Sequence, residues 1–247
     1  MKKGKTYVFT DLHGQYKLWE QIKAYLKPED KAYCLGDCVD RGPHGIKILS
    51  EIMADSRITL LKGNHEDMMF SALDLYVHSG SISNFSLWMG NGGKATWKSV
   101  EDWSEDKLIS LCARLRKLPT RVDLVNAEGK KIILTHAGID PWVTDEEAQD
   151  MEKIYRVHPY IWDRDHIFST WSKEYDDTYI IHGHTPVISH YFGKAYFDSS
   201  TPTEQVKIER YAEGHKINLD LGAFVSGKVA LLDIDTLKEI YFEAEVE

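Results

Sequence analysis

Cysteine is scarce. Cys34, Cys38 and Cys112 are the only three in 247 residues, too few and odd in number for a disulfide framework, so a reducing, cytoplasmic setting is expected. No apolar run approaches the ~20 residues of a membrane-spanning helix. The basic start, Met1-Lys2-Lys3-Gly4-Lys5, leads into a short strand-like run and not into the apolar stretch of a signal peptide. Positive charge is also in deficit, with 30 Lys and Arg against 39 Asp and Glu and a formal net charge of -9. A nonspecific nucleic-acid or anionic-membrane binder needs a basic surface to neutralise phosphates, so neither partner is expected. Repeats, low-complexity tracts and linkers are missing as well, which excludes solenoids and strings of independent modules.

What is present is a chain 43% hydrophobic, long enough to bury a full core and most economically read as one α/β domain over residues 1–247. Tyr7-Val8-Phe9, Ala32-Tyr33-Cys34-Leu35 and Ile58-Thr59-Leu60-Leu61 read as strands of a sheet covered on both faces. Helices separate them, with Leu18, Ile22 and Leu26 on one face of the first and Ile46, Leu49 and Ile52 on one face of the second. A parallel sheet is the natural result. Residues at about 66–118 form a helical excursion around Gly90-Asn91-Gly92-Gly93. Strands return at 122–125 and 132–134 across the turn Asn126-Ala127-Glu128-Gly129, and Thr144 with Glu147 forms a capping box that opens a further helix. Strand signals then dominate, at 179–181, 195–197, 217–219, 229–232 and 240–242. A helix-rich beginning and a strand-rich end predict two packed, mixed β-sheets flanked by helices.

Five apolar runs each end in a cluster able to bind metal or phosphate: Thr10-Asp11-Leu12-His13-Gly14, Gly36-Asp37-Cys38-Val39-Asp40-Arg41-Gly42, Gly63-Asn64-His65-Glu66, His136-Ala137-Gly138 and His182-Gly183-His184. Singly, Asp and Asn at such junctions are turn or cap chemistry. Jointly, and beside glycine-flanked histidines, they supply ligands for two metal ions, because strand C-termini in an open sheet converge. Asp37 is the natural bridge. Asp11, His13 and Asp37 are assigned to one ion, and Asp37, Asn64, His136 and His184 to the other. Ions about 3.5 to 4 Å apart would hold a hydroxide between them and clamp phosphate oxygens. Oxygen and nitrogen ligands without thiolate suit manganese, iron or zinc. Arg41 offers a planar fork for two phosphate oxygens. His65 is placed to protonate a leaving alkoxide, with Asp40 orienting it.

These motifs resemble those of the phosphoprotein phosphatase family of calcineurin-like metallophosphoesterases, whose pattern is GDxHG, GDxxDRG, GNHE, H(A/G)G and a late GH. Trp88-Met89-Gly90-Asn91-Gly92-Gly93 and Ile161-Trp162-Asp163-Arg164 are most similar to the prokaryotic and phage branch typified by the lambda-phage protein phosphatase. The resemblance implies the calcineurin-like fold and two divalent ions, manganese foremost with iron, zinc, cobalt or nickel as alternatives. It also implies Arg164 as a second phosphate arginine. The implied reaction is hydrolysis of phosphoserine or phosphothreonine in proteins or peptides by direct attack of a metal-bridging hydroxide, without a phosphoenzyme.

Thr10 stands where the family's first motif has glycine, and His182 where eukaryotic members tend to carry arginine. No SAPNY-like loop follows Thr185, so no regulatory subunit is inferred. The main rival is a bis(5'-nucleosyl)-tetraphosphatase or another small-molecule phosphohydrolase of the same superfamily; Asp40 and Glu66 favour the protein phosphatase. A noncatalytic scaffold would have lost a ligand or an arginine, and none is missing. His182 is read as a supporting residue, His78, His166, His190 and His215 as surface residues, and the cysteines as buried thiols.

Overall fold

A computed structural model describes residues 4–155, 158–187 and 206–247. Three strands, β1 (Thr6–Phe9), β2 (Lys31–Cys34) and β3 (Ile58–Leu60), pair in parallel as their apolar runs anticipate. The helices between them, α1 (Tyr16–Tyr25) and α2 (Gly45–Ala54), bury Leu18, Trp19 and Ile22, and Ile48, Leu49 and Ile52. The excursion comprises α3 (Asn64–Ser79), α4 (Phe85–Gly90), α5 (Lys94–Lys98) and α6 (Glu105–Arg116).

Next come the hairpin β4 (Arg121–Val125) and β5 (Lys131–Thr135), helices α7 (Asp145–Tyr155) and α8 (Pro159–Trp162), β6 (Thr178–His182), β7 (Glu209–Tyr211), β8 (Lys216–Asn218), α9 (Ala223–Ser226), β9 (Lys228–Asp233) and β10 (Glu239–Glu243). The capping box opens α7, where Thr144 Oγ1 accepts from Glu147 N at 3.2 Å and Glu147 Oε2 accepts from Thr144 N at 2.8 Å. The strand expected at 195–197 lies outside the described residues, as does His190.

Among the described residues the strands form two mixed sheets of five, ordered β10-β9-β1-β2-β3 and β4-β5-β6-β8-β7. Val8, Leu35, Ile132, Leu134, Ile181 and Leu232, drawn from both sheets, fill the core between them. The alternate residues Phe9 and Cys34 turn outward to Trp19, Ile22, Ile48 and Ile52, while Ile133 and Ile180 pack on Ala148 and Tyr160. At ~1.5–3 kcal/mol for each large apolar side chain, burial on both faces explains why these strands read as continuous apolar runs. This layering also brings the C-terminal ends of β1, β2, β3, β5 and β6 to one edge of the molecule, where the ligand-bearing loops begin.

Candidate functional site

Asp37 lies at the centre of the converging loops. Its Oδ2 is 3.6 Å from His13 Nε2, and its Oδ1 is 3.4 Å from His136 Nε2, so each carboxylate oxygen faces a different group. Asp11 Oδ1 is 3.8 Å from the same His13 nitrogen. On the other side Asn64 Oδ1 lies 3.0 Å from His136 Nε2 and 2.9 Å from His184 Nδ1. The six residues singled out from the sequence, Asp11, His13, Asp37, Asn64, His136 and His184, are brought together around Asp37, although Asp11 lies close enough to Asp37 and His136 to group with them as well as with His13.

The ring orientations are set from behind. His13 Nδ1 donates to Val39 O at 3.0 Å and His136 Nδ1 donates to Leu35 O at 3.1 Å, which turns both Nε2 atoms toward Asp37. Asp37 itself is pinned by Glu66, whose Oε2 accepts from Asp37 N at 2.7 Å while Oε1 accepts from Cys38 N at 2.8 Å. Thr10, the departure from the family's first glycine, donates its hydroxyl to Asp11 Oδ2 at 2.6 Å, and that oxygen also accepts from His184 N at 3.2 Å.

The electrostatics fit a cation site. Asp11 is pushed well above its usual range by burial and by nearby Asp220, and its buried Oδ1 finds no hydrogen-bond partner among the described residues. Burial, with Arg41 beside His13 and with His136 and Arg164 near His184, drives both imidazoles well down; neutral rings keep a lone pair. Burial opposes charge on Asp37, yet His136 and His65 outweigh it and hold the carboxyl well below its usual range. Burial likewise opposes protonation of His136, but the charge of Asp37 lifts it to about 9. A pocket that draws a proton against its carboxylates, through oxygen and imidazole donors and no thiolate, suits divalent cations. Two overlapping groups, His13-Asp37-His65 and Asp11-Asp37-His136, have ligand atoms all within 4.8 Å of one another.

Arg41, His65 and Asp40 line the same space. Arg41 Nη1 lies 2.8 Å from His13 Nε2 and Nη2 lies 3.2 Å from His65 Nε2. His65 Nδ1 donates to Asp40 Oδ2 at 2.7 Å. Arg164 is anchored next to His184 through Nη1, which donates to Thr185 Oγ1 at 3.1 Å.

Three features escaped the sequence. Asp11, His13, Asp37, Asp40, Arg41 and His184 all have positive φ, between 42° and 70°, so left-handed backbone concentrates on the candidate site residues. Phe224 packs under the Arg41 guanidinium, with its ring centroid 4.2 Å from Cζ, a contact between remote segments that no motif announces. His166 is not on the surface. It is 1% exposed and packs edge-on to His182 at 5.1 Å, while its carbonyl accepts from the buried Lys216 Nζ at 2.7 Å. His215 is likewise stacked between Trp171 and Tyr179. The expectation failed for both because the elements that cover them are distant in sequence. His78 is exposed, His182 is buried, and all three cysteines are free and buried.

Residues 4–218 match the family model described as calcineurin-like phosphoesterase. Among curated proteins, the chain is 26% identical over 186 residues to a serine/threonine-protein phosphatase 1 of Salmonella typhimurium, covering 73% of this chain and 78% of that protein. It is 31% identical over 144 residues to a symmetrical bis(5'-nucleosyl)-tetraphosphatase of Erwinia tasmaniensis, covering 55% of this chain and 45% of that protein. A solved protein serine/threonine phosphatase from Saccharomyces cerevisiae superposes with a TM-score of 0.59 at 15% identity, covering 99% of this chain and 81% of that one. No helix among the described residues is long and apolar enough to cross a membrane.

Proposed function

Because the chain belongs to the calcineurin-like phosphoesterase family, we propose that it is a binuclear metal-dependent phosphomonoesterase, a single catalytic domain acting on phosphoserine or phosphothreonine in proteins. The observation that carries this reading is the position of Asp37, with one oxygen toward His13 and the other toward His136. Asp11, His13 and Asp37 would hold one cation, and Asp37, Asn64, His136 and His184 the other, with manganese as the first choice. When bound, such ions supply Lewis-acid polarisation of phosphoryl oxygens and an activated water.

The remaining chemistry belongs to side chains. Arg41 and Arg164 grip the phosphoryl oxygens, and the Phe224 ring keeps the Arg41 fork from swinging away. His65 Nε2 faces the same space and delivers a proton to the leaving alkoxide, while Asp40 holds the ring and stabilises its imidazolium form. Burial of Asp37, Asp40, His13 and His65 lowers the local dielectric and strengthens each of these contacts. The three free thiols fit a cytoplasmic setting.

A second reading, hydrolysis of dinucleoside tetraphosphate, has the similarity to the Erwinia enzyme in its favour. The wider similarity to the Salmonella phosphatase, over 73% of this chain against 55%, tips the choice toward the protein phosphatase. The test is a direct comparison on manganese-loaded protein of a phosphoserine peptide, a dinucleoside tetraphosphate and para-nitrophenyl phosphate. The first reading requires the highest kcat/KM among natural substrate classes on the peptide. A preference for the dinucleotide would replace it with the second.

A further inference from the structure

Asp40 carries a demand that its own segment does not meet. Both Asp40 and Arg41 sit in the left-handed region, at φ 69° and 65°, a conformation that Asp tolerates as a single residue but that is costly for Arg and for two residues in succession. Asp40 is also fully buried, and a buried carboxylate must be hydrogen-bonded. Apart from His65 Nδ1, the groups that answer these demands come from one stretch of the helical excursion. Trp88 Nε1 donates to both carboxylate oxygens, at 3.0 Å to Oδ1 and 3.1 Å to Oδ2. Thr96 Oγ1 accepts from Asp40 N at 2.8 Å, and Gly92 O accepts from Arg41 N at 3.0 Å.

Two glycines make the approach possible. A Cβ on Gly92 would lie 2.8 Å from Arg41 Cγ, and one on Gly93 would lie 2.5 Å from the Trp88 indole nitrogen. Trp88 also packs against Phe85 and Trp97, as any core tryptophan would. Core filling alone does not require an indole N–H shared between the two oxygens of the carboxylate that orients His65.

We propose that residues 88–96 form a cradle that sets Asp40 and Arg41, and that Trp88 is a positioning residue for proton delivery, acting through Asp40 on His65. The proposal rests on the reading of His65 as the proton donor. In this relay the indole fixes the rotation of the Asp40 carboxylate, Oδ2 then fixes the His65 ring, and Nε2 is left facing the leaving-group oxygen. Thr96 and Gly92 hold the backbone that carries both Asp40 and the phosphate-gripping Arg41.

The test uses manganese-loaded full-length protein with phenyl phosphate and para-nitrophenyl phosphate, which are alike in shape but differ in how far the leaving group needs a proton. Trp88→Phe should lower kcat on phenyl phosphate by roughly 10²-fold, the scale of a misplaced catalytic group, with a much smaller loss on the nitrophenyl ester. Metal content and KM should hold. Because Trp88 is buried, Thr96→Val provides a second, nearly isosteric variant that should show the same selective loss, and Thr96→Ser, which keeps the oxygen, should recover most of it. Equal losses on the two esters, or no loss on either, in both Trp88→Phe and Thr96→Val would overturn the proposal. His65→Ala separates the two levels. If it is leaving-group selective while the cradle variants are not, only the cradle falls; if it is unselective, the proton-donor reading falls and takes the cradle with it.

Discussion

Asp37 and His65 are tied twice: Asp37 Oδ1 accepts the His65 backbone N–H at 3.0 Å, and Asp37 Oδ2 lies 3.8 Å from His65 Nε2. The carboxylate proposed to bridge two cations therefore also fixes the first turn of α3, which carries the proposed proton donor. In the proposed mechanism, metal binding and proton delivery share one anchor.

Asp37→Asn should accordingly be more damaging than loss of any single imidazole. It should reduce metal content from about two ions per chain to less than one, because the amide weakens both groups, whereas His13→Ala should spare one ion. Elemental analysis of the replete proteins checks this. One tightly bound ion in fully active wild-type enzyme would refute the binuclear assignment.

His65→Ala should lower kcat on a phosphoserine peptide by roughly 10²- to 10⁴-fold, the usual range for a general acid. The loss should shrink on para-nitrophenyl phosphate, whose leaving group hardly needs a proton. Steady-state rates on both substrates decide it, and equal losses count against His65.

Arg164→Lys should raise KM by roughly tenfold or more, the scale of a hydrogen bond to a charged group, since a point charge cannot reproduce a bidentate fork. Metal content should not change. Competitive inhibition by inorganic phosphate should weaken in parallel. Wild-type kcat/KM and phosphate inhibition in the variant would leave Arg41 as the sole phosphate arginine.

Phe224→Leu should loosen Arg41 without removing it. With the aromatic face gone, a cation–π contact of about 0.5–2 kcal/mol is lost, which corresponds to roughly a 2- to 30-fold rise in KM with little change in metal content. Substrate titration of the variant against wild type measures it, and an unchanged KM would show that the ring merely fills space.

Glu51 offers a stability test away from the site. Burial opposes its charge, but hydrogen bonds from Lys23, Trp19 and Tyr16 prevail and hold its pKa down at about 2 against 4.5 for a free glutamate. A lowered folded-state pKa contributes stability above the unfolded pKa and loses it as pH falls from about 4.5 toward about 2. After discounting for partial exposure, Glu51→Gln should cost on the order of 1–2 kcal/mol at pH 7. Urea unfolding should show the gap between wild type and variant closing by about pH 2–3. A gap independent of pH would assign the effect to packing.

The convergence of the candidate ligands was legible in the chain because each is local: Asp11, Asp37, Asn64, His136 and His184 all follow an apolar strand within a few residues, and parallel strands deliver their ends to one edge. Strand periodicity likewise announced two covered sheets, since burial on both faces leaves a continuous apolar run. What holds those ligands was not legible. Trp88 reaches Asp40 across 48 positions, Phe224 reaches Arg41 from the far end of the chain, and His166 is buried by Lys216 and His182 from other elements. Such contacts depend on how the excursion folds back over β2 and how the two sheets face each other, and no local pattern of polarity encodes that distance. The left-handed backbone of Asp40 and Arg41 has the same origin. Asp tolerates it singly, but Arg41 beside it does not favour it, and the surrounding structure has to offset that strain. The sequence by itself determined which atoms are available for metal and phosphate, because that is a matter of residue type and spacing; the tertiary structure alone decided their orientation, because that depends on partners brought together by packing.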